Sequence, residues 1–277
     1  MLKRAMLLTS GLFIAVANMA VAAAVDSAAK FRIANVIQSN MVVQQNKPLR
    51  IWGTAPAGDV IELQADWTGK TTIATADANG KWLGEIKVPG TTRGNFTPHT
   101  ITIIHKDNQP LIGKFIEPHT IDLNLKKKKN DIVKLTNILI GDVWVASGQS
   151  NMEMRMATVP GWGTGVKDFE KELRLANYPA IRLYKEEMGI EFTPQDTIKG
   201  EKWEACTPKS AAGFSGVAYY FGRELFNRLQ IPIGLVGAAI PATAAQAFTD
   251  INILLADTAL KKKYVDPYSK AVDSIQA

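Results

Sequence analysis

The pattern of apolar and polar positions changes near residue 138. Before that point, from Phe31 to about Asn137, short apolar runs alternate with turn signals and no segment has a helical period. Residues 60–63, 71–75 and 100–104 are short β-branched runs, and residues 49–52 lead into Gly53. Turn signals lie at residues 56–59, 77–80 and 88–90. Short strands separated by such turns predict a small antiparallel β-sandwich.

After residue 138 the pattern predicts a parallel α/β layer. Residues 138–145 are nearly all apolar, as in a strand that is covered on both faces. A helix is predicted over 217–229, with one apolar face formed by Val217, Tyr220, Phe221, Leu225 and Leu229. Residues 233–236 predict a second buried strand, and the order strand, helix, strand indicates parallel pairing. We therefore expect a β-sandwich domain over 31–137 and an α/β domain over 138–277.

The first 24 residues predict a secretory signal peptide. A basic start with Lys3 and Arg4 precedes a mostly apolar stretch, and Ala-x-Ala cleavage sites follow at 20–22 and 22–24. A retained membrane anchor is the alternative, and it is disfavoured because Thr9, Ser10, Gly11 and Asn18 interrupt the apolar run. The expected product is secreted or periplasmic, with no membrane segment after cleavage.

Composition and charge exclude several classes of protein. The 277 residues are 46% hydrophobic and 21% charged, an ordinary globular mixture that excludes a disordered or polytopic membrane protein. The net charge is +6, but the basic run at 126–129 has no interleaved aromatic residues, so we expect no nucleic-acid partner. Cys206, the single cysteine, is expected to be buried. No metal-ligand spacing occurs, so we expect no metal and no cofactor. Nothing in the sequence specifies an oligomeric state.

The strongest chemical signal follows the predicted strand 138–145. That strand leads into Ser-Gly-Gln-Ser-Asn at residues 147–151, a cluster of small and amide side chains. Ligands of parallel sheets lie beyond the carboxyl ends of the strands, and Ser150 after a glycine is well placed as a nucleophile. From composition alone, a plain strand-to-helix turn with Ser150 as the helix N-cap is the simpler interpretation.

Residues 148–152 (Gly-Gln-Ser-Asn-Met) resemble the nucleophile block of the sialate O-acetylesterases, which are SGNH hydrolases. Further blocks that are similar to this family occur in the same order, at 40–45 followed by Pro48 and residues 52–53, at 214–225 and at 231–235. The resemblance spans about Phe31 to Phe248. It implies an α/β protein, with an N-terminal antiparallel β-sandwich domain followed by a flavodoxin-like SGNH domain. The implied activity is serine-dependent removal of O-acetyl groups from sialic acid or related sugars.

The resemblance also implies roles for individual residues. Ser150 attacks the acetyl carbonyl, and the backbone N–H groups of Ser150 and Ala242 contribute to the oxyanion hole. Gln149 and Asn151 are expected to contact the substrate. Arg155 lies just past the nucleophile, and from that position we expect it to be a substrate contact that meets a sialate carboxylate as a bidentate partner. The general base is a histidine from an Asp-x-x-His block near the C-terminus.

Three features depart from the family pattern. The three histidines His99, His105 and His119 all precede Ser150, and each is expected to be a surface or loop residue rather than the base. The family's Trp-Gly-Gly-Thr stretch is Ile-Pro-Ala-Thr at 240–243, where proline has no N–H and alanine lacks the freedom of glycine. The Asp-x-x-His block is missing, which predicts an incomplete SGNH domain. A second hypothesis is therefore a non-catalytic carbohydrate-binding protein or the vestigial product of a truncated gene.

Overall fold

The computed structural model describes residues 30–107, 115–116, 120–121, 130–161, 163, 165–189 and 195–276. The predicted signal peptide, His119 and the lysine run at 126–129 lie outside these residues. Within the described ranges, no helix has the length and apolar character that crossing a membrane requires.

The chain forms thirteen described strands and seven described α-helices. The strands are β1 (Arg32–Ile33), β2 (Val42–Gln44), β3 (Pro48–Thr54), β4 (Val60–Ala65), β5 (Thr71–Thr75), β6 (Lys81–Lys87), β7 (His99–Lys106), β8 (Phe115–Ile116), β9 (Thr120–Ile121), β10 (Asp131–Gly148), β11 (Tyr178–Lys185), β12 (Glu204–Cys206) and β13 (Ile233–Ala239). The helices are α1 (Ser150–Glu153), α2 (Phe169–Leu175), α3 (Pro208–Ala212), α4 (Gly216–Leu229), α5 (Ile251–Ala256), α6 (Thr258–Leu260) and α7 (Asp266–Gln276). A 3₁₀ turn lies at Ala245–Phe248 and a π-helical turn at Lys261–Val265.

Two sheets enclose the core of the N-terminal half. One is the antiparallel sheet β1-β3-β6, and the other contains β4, β5, β7 and β10 within a larger sheet ordered β12-β11-β13-β10-β7-β4-β5. Buried and exposed residues alternate along β4, β6 and β7, so each strand turns one face to the shared core. This core includes the buried side chains of Ile51, Ile61, Leu63, Trp82, Ile86, Ile101, Ile103 and Leu135. The prediction of a mixed α/β protein with antiparallel and parallel strands is confirmed.

Strand β10 connects the two halves of the molecule. Its first part pairs antiparallel with β7, up to Ile138 opposite His99, and its last part pairs parallel with β13, from Asp142 to Gly148. The register shifts between Leu135 and Ile138, where Asn137 takes a left-handed conformation with φ 58°. The predicted domain boundary at 130–138 therefore lies inside one continuous strand of 18 residues.

Gln44 and Gln45 hold this strand at the point where its pairing changes. Strand β2 pairs parallel with β10 at residues 139–141. The side-chain amides of Gln44 and Gln45 both donate to Asp142 Oδ1, at 3.1 and 3.0 Å, and the Val143 N–H donates to Gln44 Oε1 at 2.8 Å. These hydrogen bonds fix the point at which β10 leaves the antiparallel layer.

The order of the parallel strands differs from a flavodoxin-like sheet. In that arrangement the first strand lies between the second and the third. Here the third strand, β13, lies between β10 and β11. From Trp144 to Gly148, β10 pairs with β13 and with no other described strand, and the side chains of Trp144 and Val145 are 44% and 68% exposed.

The predicted helix is confirmed as α4, and of its predicted apolar face Tyr220 and Leu225 pack against the core. Val217, Phe221 and Leu229 are exposed, and the buried positions are Gly216, Ala218, Tyr219 and Gly222. Small residues allow α4 to approach the sheet closely: a Cβ added at Gly222 would lie 2.6 Å from Leu235 Cδ1. The buried side of α4 therefore combines small residues with Tyr219, a position that the apolar periodicity did not include.

We predict that Gly141→Ala destabilises the fold, because an added Cβ would lie 2.0 Å from the Pro232 carbonyl oxygen. That oxygen accepts a hydrogen bond from the Asp142 N–H at 3.0 Å, so it is not free to move away. The free energy of unfolding should fall by about 2–3 kcal/mol in urea titrations. The matched control is Gly213→Ala, whose Cβ would meet nothing within 4 Å and which should change stability by less than about 0.5 kcal/mol. Equal stability of the two variants would contradict this account of the β10–β13 junction.

Candidate active site

The parallel register brings two strand ends together at one edge of the sheet. Gly148, the last residue of β10, is paired with Ala239, the last residue of β13. The next residue after β13, Ile240, donates its N–H to the Gly148 carbonyl at 2.9 Å. The turn after β10 and the turn after β13 are therefore held side by side.

Ser150 is the first residue of the short helix α1, not its N-cap. The N-cap is Gln149, which makes no side-chain capping hydrogen bond, and its carbonyl accepts from the Met152 and Glu153 N–H groups at 2.9 Å. The turn requires Gly148, which has φ 152°, and a Cβ there would approach Met152 Cβ to 3.1 Å. The interpretation of Ser150 as a plain helix cap is therefore wrong.

Most of the predicted site residues line one cavity of about 550 Å³, the nucleophile cavity. Its lining includes Ser150, Asn151, Arg155, Pro241 and Ala242. Ser150 is exposed, and among the described residues its hydroxyl has no hydrogen-bond partner. Gln149 does not line this cavity and lies exposed at the start of α1.

Ala242 carries backbone strain at the predicted oxyanion position. It has φ 58°, in the left-handed region where an alanine Cβ is disfavoured and glycine is not. Ala242 thus adopts a conformation that is typical of glycine. Pro241, beside it in the cavity, has no N–H to donate.

A second cavity of about 350 Å³, the side cavity, shares Glu153 and Arg155 with the first. It lies at the carboxyl ends of β10, β11 and β13. Its charged lining residues are Glu153, Arg155, Lys185, Glu186, Glu187 and Glu201. Lys185, Glu186, Glu187 and Glu201 were not predicted as site residues, because strand β11 was not predicted from the sequence. The signal was present: the apolar stretch Ile181 to Tyr184, interrupted by Arg182, ends at Lys-Glu-Glu, which marks the carboxyl end of a strand.

The charges of the side cavity influence one another. Arg155 Nε lies 3.5 Å from Glu153 Oε1, and Lys185 Nζ donates to the Gly213 carbonyl at 3.3 Å. Burial lowers the pKa of Lys185, the charge of Arg155 lowers it further, and Glu201 and Glu153 oppose that effect. Burial also raises the pKa of Glu186.

Neither described histidine lies in these cavities. Both are on β7, where His99 Nδ1 is 2.8 Å from Asp66 Oδ1 and His105 Nε2 is 2.8 Å from Asp59 Oδ2. The expectation of a surface or loop residue is wrong for His105, which is buried. Its side chain shares the core-facing side of β7 with Ile101 and Ile103.

Two further kinds of reactive group were considered from the sequence, the cysteine and metal-ligating side chains. Cys206 is buried as predicted, and burial raises its pKa to about 12, which keeps the thiol protonated and unreactive. In the described part of the chain, no group of three or more His, Cys, Asp or Glu side chains is arranged to hold a metal ion.

Comparisons with known proteins relate the chain to acetylesterases. No family model matches it. It is 26% identical over 229 residues to human sialate O-acetylesterase, covering 79% of this chain and 39% of that protein. It is 25% identical over 236 residues to the rat sialate O-acetylesterase, covering 82% and 39%. A crystal structure of a carbohydrate acetylesterase from Xanthomonas citri superposes with a TM-score of 0.63 at 24% identity, covering 83% of this chain and 44% of that one. The chain thus spans about two fifths of the length of the curated relatives it matches.

We predict that Ala242→Gly stabilises the protein. Relief of the left-handed alanine is worth roughly 1–2 kcal/mol, more than the entropy that glycine adds to the unfolded chain. The free energy of unfolding should rise by about 0.5–1 kcal/mol in urea titrations. The control is Ala244→Gly, two residues further on at φ −78°, where the same change should lower stability. A loss of stability in both variants would show that Ala242 is not strained.

Proposed function

Because this chain resembles the sialate O-acetylesterases in sequence and shares its fold with a carbohydrate acetylesterase, we propose that it is a serine esterase acting on O-acetylated sugars. One observation carries the proposal: Ser150, Asn151 and Ala242 line a single cavity at the carboxyl ends of two parallel strands. Ligands of parallel sheets bind at this edge.

In the proposed reaction Ser150 Oγ attacks the acetyl carbonyl carbon. The sugar hydroxyl leaves with a proton, and water then hydrolyses the acetyl-serine to release acetate and regenerate the hydroxyl. The N–H groups of Ser150 and Ala242 stabilise the oxyanion, a contribution of about 3 kcal/mol for each such donor. Gln149, Asn151 and Arg155 are the proposed sugar contacts.

The proposed reaction needs a base for the Ser150 proton. The described histidines are paired with aspartates on the antiparallel layer, and the sequence has no histidine after His119. By resemblance, the base is a histidine of an Asp-x-x-His block. We therefore propose that the 277 residues alone turn over slowly, and that a polypeptide carrying such a block is fully active.

The proposal extends to the architecture and location of the protein. We propose that residues 31–137 form a β-sandwich domain, that residues 138–277 belong to an SGNH domain, and that residues 1–24 are a signal peptide that directs export. The pairing of the last part of β10 with β13 in a parallel register supports the α/β assignment of the second domain.

A non-catalytic carbohydrate-binding or vestigial protein is the second candidate. Pro241 favours it, because proline has no N–H to donate to an oxyanion. The two described histidines also favour it, because both lie on β7, outside the cavities, and are paired with aspartates. In that case the cavities would bind a sugar without releasing acetate.

We predict that free imidazole restores hydrolysis of a model acetyl ester by this chain, because imidazole supplies the missing base. The rate above buffer should increase with imidazole concentration and should be measured by acetate release. Ser150→Ala should remove the increase and leave only the reaction of imidazole itself.

The matched control is Ser147→Ala, an exposed serine on β10 that does not line the nucleophile cavity, and it should retain the imidazole-dependent rate. A rate that persists in Ser150→Ala would overturn the assignment of the nucleophile. No imidazole-dependent rate in the unsubstituted chain would favour the binding-only protein.

A further inference from the structure

We propose that the sugar bound beside Ser150 is uncharged, so that the side cavity selects neutral acetylated sugars over sialic acid. This inference rests on the proposed function and specifies its substrate class. Four carboxylates (Glu153, Glu186, Glu187 and Glu201) and two cations (Arg155 and Lys185) line the cavity. Four minus two leaves a formal excess of two negative charges at the place where the sugar ring would lie.

Backbone hydrogen bonds fix the main chain of Glu186, Glu187 and Glu201 around the end of β11. The Glu186 N–H donates to the Gly237 carbonyl at 3.0 Å, and the Glu187 N–H donates to the Lys199 carbonyl at 3.0 Å. The Glu201 N–H donates to the Lys185 carbonyl at 2.8 Å. These bonds tie the segments 185–187 and 199–201 to each other and to β13. The acidic lining is therefore part of the sheet edge.

The two cations are already opposed by carboxylates or held by the backbone. Arg155 is paired with Glu153, whose side chain is only 8% exposed, and Lys185 Nζ donates to a backbone carbonyl. A sialate carboxylate bound at Arg155 would lie beside Glu153 and would also face the remaining carboxylates. Like charges repel, and the repulsion is greatest at the half-buried Glu153 and Glu186, since Glu187 and Glu201 are exposed to water. The cavity therefore disfavours an anionic ligand.

An uncharged sugar can form hydrogen bonds with the carboxylates that line the side cavity. Its hydroxyl groups donate to carboxylates, and hydrogen bonds to a charged acceptor are stronger than neutral ones. Arg155 Nε makes no hydrogen bond of good geometry with the described residues, and its nearest carboxylate oxygen is Glu153 Oε1 at 3.5 Å. A volume of about 350 Å³ lies at the lower end of the range for ligand pockets and suits a single sugar ring.

The test compares three ligands that separate charge from shape. These are 9-O-acetyl-N-acetylneuraminic acid, its carboxyl methyl ester, and methyl 6-O-acetylglucoside. Binding to Ser150→Ala, which prevents turnover, is measured by ligand-observed NMR titration. We expect the methyl ester and the glucoside to bind about tenfold or more tightly than the free acid.

Substitutions then assign the selectivity to the side cavity. The double variant Glu186→Gln with Glu201→Gln, made in the Ser150→Ala background, should reduce the preference for the methyl ester over the free acid at least threefold. The single variant Glu201→Gln should reduce this preference by a smaller factor. If thermal unfolding shows that the double variant does not fold, the single variant is used in its place. Glu204→Gln is the matched control, since Glu204 is exposed on β12 and lines neither cavity.

The outcomes separate this inference from the proposed function. Equal or tighter binding of the free acid, or binding of none of the three ligands, overturns the inference. Hydrolysis at Ser150 without charge selectivity would support the proposed esterase and contradict this inference. Selective binding of uncharged sugars without any hydrolysis keeps the inference and favours the binding-only protein.

Discussion

The structure depends on one strand that serves two sheets of different kinds. Strand β10 is antiparallel to β7 along its first part and parallel to β13 along its last part. The change is made at Asn137, whose left-handed backbone interrupts the ladder, and the guanidinium of Arg182 donates to Asn137 Oδ1 at 3.2 Å and to the Asn40 carbonyl at 3.3 Å. Burial lowers the pKa of Arg182, which is the electrostatic cost of placing a cation at this junction.

The position of the candidate site follows from that strand. Because β10 and β13 are parallel and end together, the turn that carries Ser150 and the turn that carries Ala242 meet at one edge. The strained φ at Ala242 persists because the hydrogen bond from Ile240 to Gly148 and the ring of Pro241 restrict the same turn. Backbone strain of this kind gathers at functional sites, where surrounding structure maintains it.

The two cavities of the candidate site have linings of different chemistry. The nucleophile cavity holds the serine and the backbone groups that an acetyl ester would meet, whereas the side cavity holds the charges that a sugar would meet. Glu153 and Arg155 form the wall between them, so their ion pair affects both the reacting group and the sugar. The curated relatives are named sialate O-acetylesterases, whereas the ligand proposed for the side cavity of this chain is an uncharged sugar.

Local patterns in the sequence determined the strand-rich N-terminal half, the helix α4, the strands β10 and β13, and Ser150 at a strand end. Each of these depends on neighbouring residues: alternation, apolar runs and a glycine before the serine. Tertiary structure decided the continuous β10, the place of β11 outside β13, and the small-residue face of α4. It also decided the acidic side cavity, because Lys185, Glu186 and Glu201 come together only through long-range backbone pairing. Residues distant in sequence meet according to strand order and register, which the whole core selects and no single segment encodes.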